Sequence, residues 1–348
     1  MSRVDDVLES ALFGYSRVRS LNYTAQFLFF NALSTLLPGM GETRQKLDPA
    51  LLKFLQGGLA KLLKNDAHQI RQGAFPMKVL APERPFDHLL RFPKLFLDGV
   101  SIYRRRLSGK TTEFRASQKE FLDELPRYYR RNFHFQTDGY LSERSAELYE
   151  HQVEMLFGGA ADAMRRLIIP ELRRRFGTSD GKGLRFLEIA AGTGRATRFV
   201  HMAFPKAKIV ATDLSDPYLK EAQKKLKKMN RIDFMQADGA QLPFQSEHFD
   251  AVYSIFLYHE LPLEARQAII SESKRVLKKG GIFGLVDSLQ TGDEKKLDGI
   301  LEDFPNQFHE PYYRNYIAHP MERLMEGAGF SEVHSQTGFV SKVCSAIK

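Results

Sequence analysis

The sequence predicts an α/β fold: a seven-stranded, mostly parallel sheet that ends in an antiparallel hairpin, preceded by an all-α N-terminal domain. Three observations predict it. Residues 1 to about 130 carry apolar side chains at helical spacing and almost no strand alternation. From residue 184 onward, strand-like runs alternate with helical stretches of about a dozen residues, the pattern of a parallel sheet wound by crossover helices. Between the two lies FGTSDGKG, a polar, glycine-rich break around Gly177–Gly183.

The elements follow in chain order. The stretch DPALLKFLQGGLAKLL opens with Asp48 and Pro49, a capping acceptor and a first-turn residue, and continues with Leu51, Leu52, Leu55, Leu59, Leu62 and Leu63 on a helical repeat. QGAFPMKVLAPERPFD reads as an irregular connector. RFPKLFLDGVSIYRRRL then repeats Phe92, Leu95, Phe96, Ile102, Tyr103 and Leu107 every three or four residues, and its Arg104–Arg106 run suits the negative end of a helix. A further helix is expected over Ser142 to Phe157, where Ser142 can cap free amides and Ala146, Tyr149, Val153, Leu156 and Phe157 form the apolar stripe. The runs LRFLEIA, KIVATD, IDFMQAD, FDAVYSIF and GIFGLVDS supply five parallel strands, and FSEVHSQTGFVSKVCSAIK supplies the hairpin, with its turn at Thr337-Gly338. The expected organisation is therefore a helical domain over 1–130, linking helices over 131–180 and an α/β domain over 181–348.

Composition narrows the class. The 348 residues hold 51 basic and 42 acidic side chains, a net charge of +9, with 43% hydrophobic and 27% charged residues. That excludes wholesale disorder and a bundle of membrane spans, and predicts two domains, each able to bury its own core. The single cysteine, Cys344, excludes an internal disulfide and a four-cysteine zinc site, and points to a reducing compartment. The first twenty residues carry acids among their apolar side chains and no secretory core, and the apolar passage Ala25 to Leu37 is shorter than the ~20 residues a bilayer span needs. A cytoplasmic location is the expectation. The positive charge is scattered, which argues against a nucleic-acid partner. The amphipathic helices and their arginines suit peripheral contact with an anionic membrane, and the helical half also offers a homodimer surface.

The chemistry-bearing residues sit at strand ends. LEIAAGTGRATRFV joins Glu188, Ala190, Gly192, Thr193 and Gly194 to a helix beginning near Arg195, a turn that allows close backbone approach and presents free amides to a ligand. Thr197 stands where a dinucleotide fingerprint would require glycine, which argues against a nicotinamide cofactor. Asp213 ends the second run and is placed to accept ribose hydroxyls. Asp238, at the end of the third, can accept from an exocyclic adenine amine. After the fourth run, His259 is a candidate general base, with Glu260 to orient it or to accept a substrate hydroxyl, and Asp287, which ends the fifth, is a candidate substrate contact. YYRRNFHFQTDGYLSE, with His134, Gln136 and Tyr140, and FPNQFHEPYYRNY, with His309, Glu310, Tyr312 and Tyr313, are candidate substrate contacts. The histidines show no HExxH pair, and His309-Glu310 alone cannot complete a coordination sphere, so no metal is expected.

Taken together, LEIAAGTG, ATDLS, QADGAQLPF, FDAVYSIFLYHEL and VLKKGGIFGLVD resemble, in order, the motifs of the class I S-adenosylmethionine-dependent methyltransferases. The resemblance covers residues 184–348. Ala190 departs from the glycine common at that position. The spacing is similar to the small-molecule group that includes quinone-biosynthesis C-methyltransferases. The resemblance implies a Rossmann-like sheet, S-adenosyl-L-methionine as methyl donor, S-adenosyl-L-homocysteine as product, and a small apolar or aromatic acceptor. It further implies that Glu188 fills the acidic position of the first motif, Asp213 and Asp238 hold ribose and adenine, and Gly192 and Gly194 admit the methionine portion. Leu214, Gly239 and Ala240 would line the adenine pocket. The segment carrying Tyr140 would fold over the cofactor as a lid, and the one carrying His309 would roof the acceptor. A nucleic-acid methyltransferase would show NPPY or DPPY where this chain has SIFLYHEL. A non-catalytic scaffold that only binds the donor is the other alternative.

Overall fold

The computed structural model describes residues 3–34, 48–81, 87–109, 111–112, 114 and 122–348. Three long helices come first: α1 Arg3–Ser34, α2 Pro49–Arg71 and α3 Asp87–Ser108. Asp48 caps α2 by accepting the Ala50 amide at 3.3 Å, and Leu62, Leu63, Ala67 and Ile70 form its buried face, whereas Leu52 is exposed. In α3, Leu95 is buried but Leu107 points to solvent; the side chains of Phe92 and Tyr103 lie outside the described ones. Within the passage Ala25 to Leu37, residues through Ser34 belong to α1 and 35–37 lie outside the described residues, as do 82–86 of the connector, whose Met77–Leu80 forms a 3-10 turn. Among the described residues no helix is long and apolar enough to cross a membrane.

Next come α4 Glu143–Leu156, α5 Ala161–Arg165 and α6 Ile168–Phe176. Ser142 caps α4 by accepting the Ser145 amide at 3.2 Å. The break after α6 is a tight glycine turn: Gly181 has φ +87°, and a Cβ there would lie 2.8 Å from the Ala207 nitrogen.

The sheet contains β1 Arg185–Ile189, β2 Lys208–Asp213, β3 Ile232–Gln236, β4 Phe249–Ile255, β5 Leu277–Ser288, β6 Ser331–Gly338 and β7 Ser341–Ile347, in the order β3-β2-β1-β4-β5-β7-β6. The first five are parallel, and β7 runs antiparallel to both β5 and β6. The crossovers are α7 Arg195–Ala203, α8 Asp216–Leu226 and α9 Leu263–Val276; α10 Asp298–Phe308, α11 Tyr313–Ala318 and α12 Met321–Gly327 lead into the hairpin. The seven-stranded, Rossmann-like expectation is met. Its topology reverses between β1 and β4, and the crevice at the carboxyl ends of those strands is where ligands of such sheets bind.

The hairpin turn lies two residues later than expected. Thr337 and Gly338 remain paired in β6, opposite Lys342 and Ser341, and Phe339-Val340 makes the turn with Phe339 at φ +63°. Gly338 serves packing instead: a Cβ there would fall 2.6 Å from Leu167 Cδ1.

One buried apolar cluster runs from Leu12, Leu62 and Leu63 through Ile168 to Phe186, Phe199 and Ile282, so the N-terminal helices and one face of the sheet share a core. A bidentate ion pair crosses the same boundary: Arg166 Nε and Nη2 lie 2.8 and 2.7 Å from the Asp66 carboxylate oxygens, with the guanidinium stacked over Phe199. A second cluster, on Leu187, Ile270, Phe283 and Tyr316, fills the opposite face.

Candidate functional site

The loops after β1, β2 and β3 line one cleft, with about 450 Å³ of space that is partly continuous with solvent. Ala190, Asp213, Leu214, Asp238 and Gly239 line it, joined at one end by Glu260 and walled by Leu257, Leu261 and Ile269. The β1 turn is tight: Ala190 has φ +57°, Gly192 +55° and Gly194 +77°. An L-residue in that region carries steric strain that glycine avoids, which accounts for the family's preference at position 190. Gly194 is favoured by its positive φ, and Gly239 by space, since an added Cβ there would lie 2.7 Å from Ile189 Cγ2.

Asp213, 9% exposed, is held by its own chain: the amides of Gly192 and Ser215 donate to its two oxygens at 2.7 and 2.8 Å. Burial raises its pKa to about 6 against those two bonds. Asp238 accepts the Ala240 amide at 2.8 Å, which leaves its other oxygen for a ligand. Two carboxylates, small-residue turns and apolar walls in one cleft fit an adenosine-bearing sulfonium donor.

Other residues of the first motif lie outside the lining of this cleft. Glu188 is 1% exposed and accepts the hydroxyls of Thr197 and Tyr253 at 2.6 and 3.0 Å; burial raises its pKa to about 8. Thr193 donates to Glu150 of α4. The basic residue at the start of α7, Arg195, is drawn aside by Asp162, which also binds Arg19 of α1 at 2.8 Å. The glycine turn is thus fastened to the helical half.

Tyr128, Tyr129 and Phe133 close over the cleft from the 128–140 segment. Tyr140 stacks on Phe133 with centroids 5.7 Å apart, accepts the Ser215 hydroxyl at its backbone oxygen and donates its own hydroxyl to Glu260, both at 2.5 Å. Gln136 faces Ser145. Sequence reasoning named Tyr140 but missed Tyr128, Tyr129, Phe133 and Ser215. The aromatic run YYRRNF in that passage was the available signal for the first three.

At the Glu260 end, chain-distant residues converge. His259 Nδ1 lies 2.6 Å from Asp287 Oδ1, and Asp287, fully buried, also accepts the amides of Tyr258 and Ser288 at 2.7 Å each. Asp287 therefore stands behind His259. Burial works against the imidazolium, but Asp287, Glu310 and Glu260 push the His259 pKa up to about 10. Tyr313 is buried at the same place, 6.1 Å from the His259 ring, and shares a hydrogen bond with Ser288. His134, at φ +52°, lies between two carboxylates: Nε2 is 3.5 Å from Glu260 Oε1 and Nδ1 is 3.1 Å from Glu310 Oε1. His309, at φ +45°, ends α10 and turns the chain so that Glu310 enters the cluster. Tyr312 lies under the Arg131 guanidinium at the periphery. His134, His259, Glu260 and Glu310 are thus four groups of the kind that hold metal ions, with their ligating atoms within 4.8 Å of one another. The expectation of no metal rested on linear spacing, which does not register this convergence.

Residues 186–281 match the family model described as a methyltransferase domain. The ubiquinone/menaquinone biosynthesis C-methyltransferase of Shewanella sp. (strain W3-18-1) is 33% identical over 103 residues, 28% of this chain and 40% of that protein. The demethylmenaquinone methyltransferase of Clavibacter sepedonicus is 38% identical over 99 residues, 28% and 39% of the two chains. The match spans about two fifths of the length of these curated relatives. Among solved structures, phosphoethanolamine N-methyltransferase 2 of Haemonchus contortus, in complex with S-adenosyl-L-methionine, has a TM-score of 0.41 at 16% identity, covering 53% of this chain and 52% of that one.

Proposed function

We propose that this chain, whose C-terminal half carries a class I methyltransferase domain, moves a methyl group from S-adenosyl-L-methionine to a small apolar or aromatic acceptor with an ionisable group. The observation that carries the reading is a single cleft with Asp213 and Asp238 along its cofactor side and Glu260 at the mouth of the histidine–carboxylate cluster. When bound, the donor supplies an electrophilic methyl on a sulfonium, so the protein's tasks are alignment, exclusion of water and removal of one proton. Asp213 and Asp238 are suited to hold ribose and adenine. Tyr128, Tyr129 and Phe133 keep water out as a lid. Glu260 lines the cleft and is placed to take the acceptor's proton. His259, held protonated by Asp287 at neutral pH, is suited to stabilise the acceptor's developing anion rather than to act as the base. Quinone-type acceptors are the class favoured by the relatives' names.

Calorimetry with S-adenosyl-L-homocysteine and mass spectrometry of a cell extract supplied with isotopically labelled methyl donor test this directly. Binding with one-to-one stoichiometry and a labelled small molecule are expected. Absence of heat at high micromolar ligand would overturn the reading. Binding without any labelled product would favour the scaffold alternative.

A further inference from the structure

We propose that His134, His259, Glu260 and Glu310 form a divalent-cation site at the acceptor end of the cleft. The four come from three separate segments: the 133–135 turn, the turn after β4, and the residues that follow α10. Each offers one ligating atom, and the set lies within 4.8 Å. A cation with bonds of about 2.0–2.2 Å holds its ligands roughly 3–4 Å apart, so small side-chain rotations close the site.

Two observations distinguish this arrangement from an ion-pair network complete in itself. Glu310 is 1% exposed, and neither of its oxygens takes part in a hydrogen bond, although His134 Nδ1 is only 3.1 Å away. A buried carboxylate without donors is costly, and a bound cation would satisfy it. Independently, His259 commits Nδ1 to Asp287, which leaves Nε2 turned toward the cluster, 3.9 Å from Glu260 Oε1. The ion takes the place of the Nε2 proton held in the metal-free site, and His259 and Glu260 then serve as ligands in place of their roles in the metal-free protein. A carboxylate behind the far nitrogen is the arrangement that fixes the tautomer and orientation of a metal-bound imidazole. Tyr140 donates to Glu260 Oε1, the same oxygen that faces the two imidazoles, and so holds that carboxylate at the edge of the cluster. The pocket gathers three buried or half-buried carboxylates, Glu260, Glu310 and Asp287, against two imidazoles, so a dication offsets an excess of negative charge.

Two nitrogen and two oxygen ligands suit Zn²⁺, Mn²⁺, Fe²⁺ or Co²⁺ better than Mg²⁺ or Ca²⁺, which prefer oxygen alone. Because Glu260 also lines the cleft, the ion would face the acceptor and favour ionisation of an acceptor hydroxyl bound to it. That role rests on the methyl-transfer reading; binding of the ion does not.

The test uses the full chain, stripped with chelator and titrated separately with Zn²⁺, Mn²⁺ and Co²⁺. Metal content is read by mass spectrometry, affinity by calorimetry, and the Co²⁺ form by its visible absorption. One equivalent of at least one ion is expected, with Co²⁺ bands of a nitrogen–oxygen site. Glu310→Gln and His134→Gln should each weaken binding at least ~10-fold while keeping the wild-type circular dichroism. Two variants are used so that one poorly folded protein does not decide the matter. Less than a tenth of an equivalent of every ion in the wild type, or unchanged affinity in both variants, overturns the inference. Asp213→Ala separates the readings: it should retain the ion while losing S-adenosyl-L-homocysteine. Metal binding in a wild-type protein that ignores S-adenosyl-L-homocysteine would sink the methyl-transfer reading and leave the cation site standing.

Discussion

The cleft and the histidine–carboxylate cluster beside it hold a buried carboxylate in different ways. In the cleft, Asp213 receives backbone amides from Gly192 and Ser215, so neighbouring turns supply its donors. In the cluster, Glu310 is more deeply buried and receives no hydrogen bond, with His134 Nδ1 3.1 Å away as its nearest cationic group. The Asp213 side is therefore organised by secondary structure, and the cluster by tertiary convergence.

This contrast can be broken most directly at Asp213. Asp213→Ala removes charge-assisted hydrogen bonds worth ~1.5–3 kcal/mol each, so affinity for S-adenosyl-L-homocysteine should fall about 10²- to 10³-fold by calorimetry. A loss below tenfold would show that Asp213 does not meet the ribose.

Glu188 is the intermediate case, buried but supplied with two hydroxyl donors. Its pKa rises from 4.5 to about 8 in the fold, so the folded state keeps a proton that the unfolded chain has released. Its contribution to stability is whole below about pH 4.5 and is lost as the pH climbs through about 8. Glu188→Gln, which imitates the neutral acid, should abolish that slope. In melting curves at pH 5 and pH 9, the variant should gain at least ~3 °C relative to wild type at the higher pH. Parallel curves would mean that the hydroxyl donors compensate the charge fully.

At Glu310 the sign should match that at Glu188 and oppose that at Asp213. In chelator-stripped protein above about pH 7, the Glu310 carboxyl, which burial pushes up to about 7, is ionised. There Glu310→Gln removes a buried charge that takes no hydrogen bond and should raise the stability to urea by ~1 kcal/mol, whereas Asp213→Asn, whose NH2 cannot accept one of the two amides, should lower it. Equal signs for the two substitutions would mean that the fold holds both carboxylates alike.

The smallest effect is expected at Ala190, where φ is +57°. Ala190→Gly should stabilise the fold by up to ~1 kcal/mol, the relief of left-handed strain exceeding the added chain entropy, and leave S-adenosyl-L-homocysteine affinity within threefold. Reduced stability would show that the tight turn tolerates a side chain without strain.

The same division explains what could be read from the sequence. Asp213, Asp238 and the glycine turn announce themselves because each sits at or just beyond a strand end, and strand ends follow from local apolar runs. The helix capped by Ser142 and the one opened by Asp48 and Pro49 were legible for the same reason. His134, His259 and Glu310 were visible as residue types, but 176 positions separate His134 from Glu310, and no periodicity predicts that the chain returns to one place. Thr337-Gly338 misled because glycine marks turns on average, whereas here it makes room for Leu167. Glu188 and Asp287 carry chemistry-like side chains that the packing turns toward Thr197 and Tyr253, and toward His259.

The Asp66–Arg166 clasp has a consequence for how the molecule can be taken apart. Asp66 belongs to α2, and its partner sits among side chains that support the sheet, so clipping away the first eighty residues would strip Arg166 of its carboxylate and wet the apolar Ile168 face. The minimal folding unit is larger than the segment that bears the methyltransferase signature, and heat should melt both halves in one step rather than two.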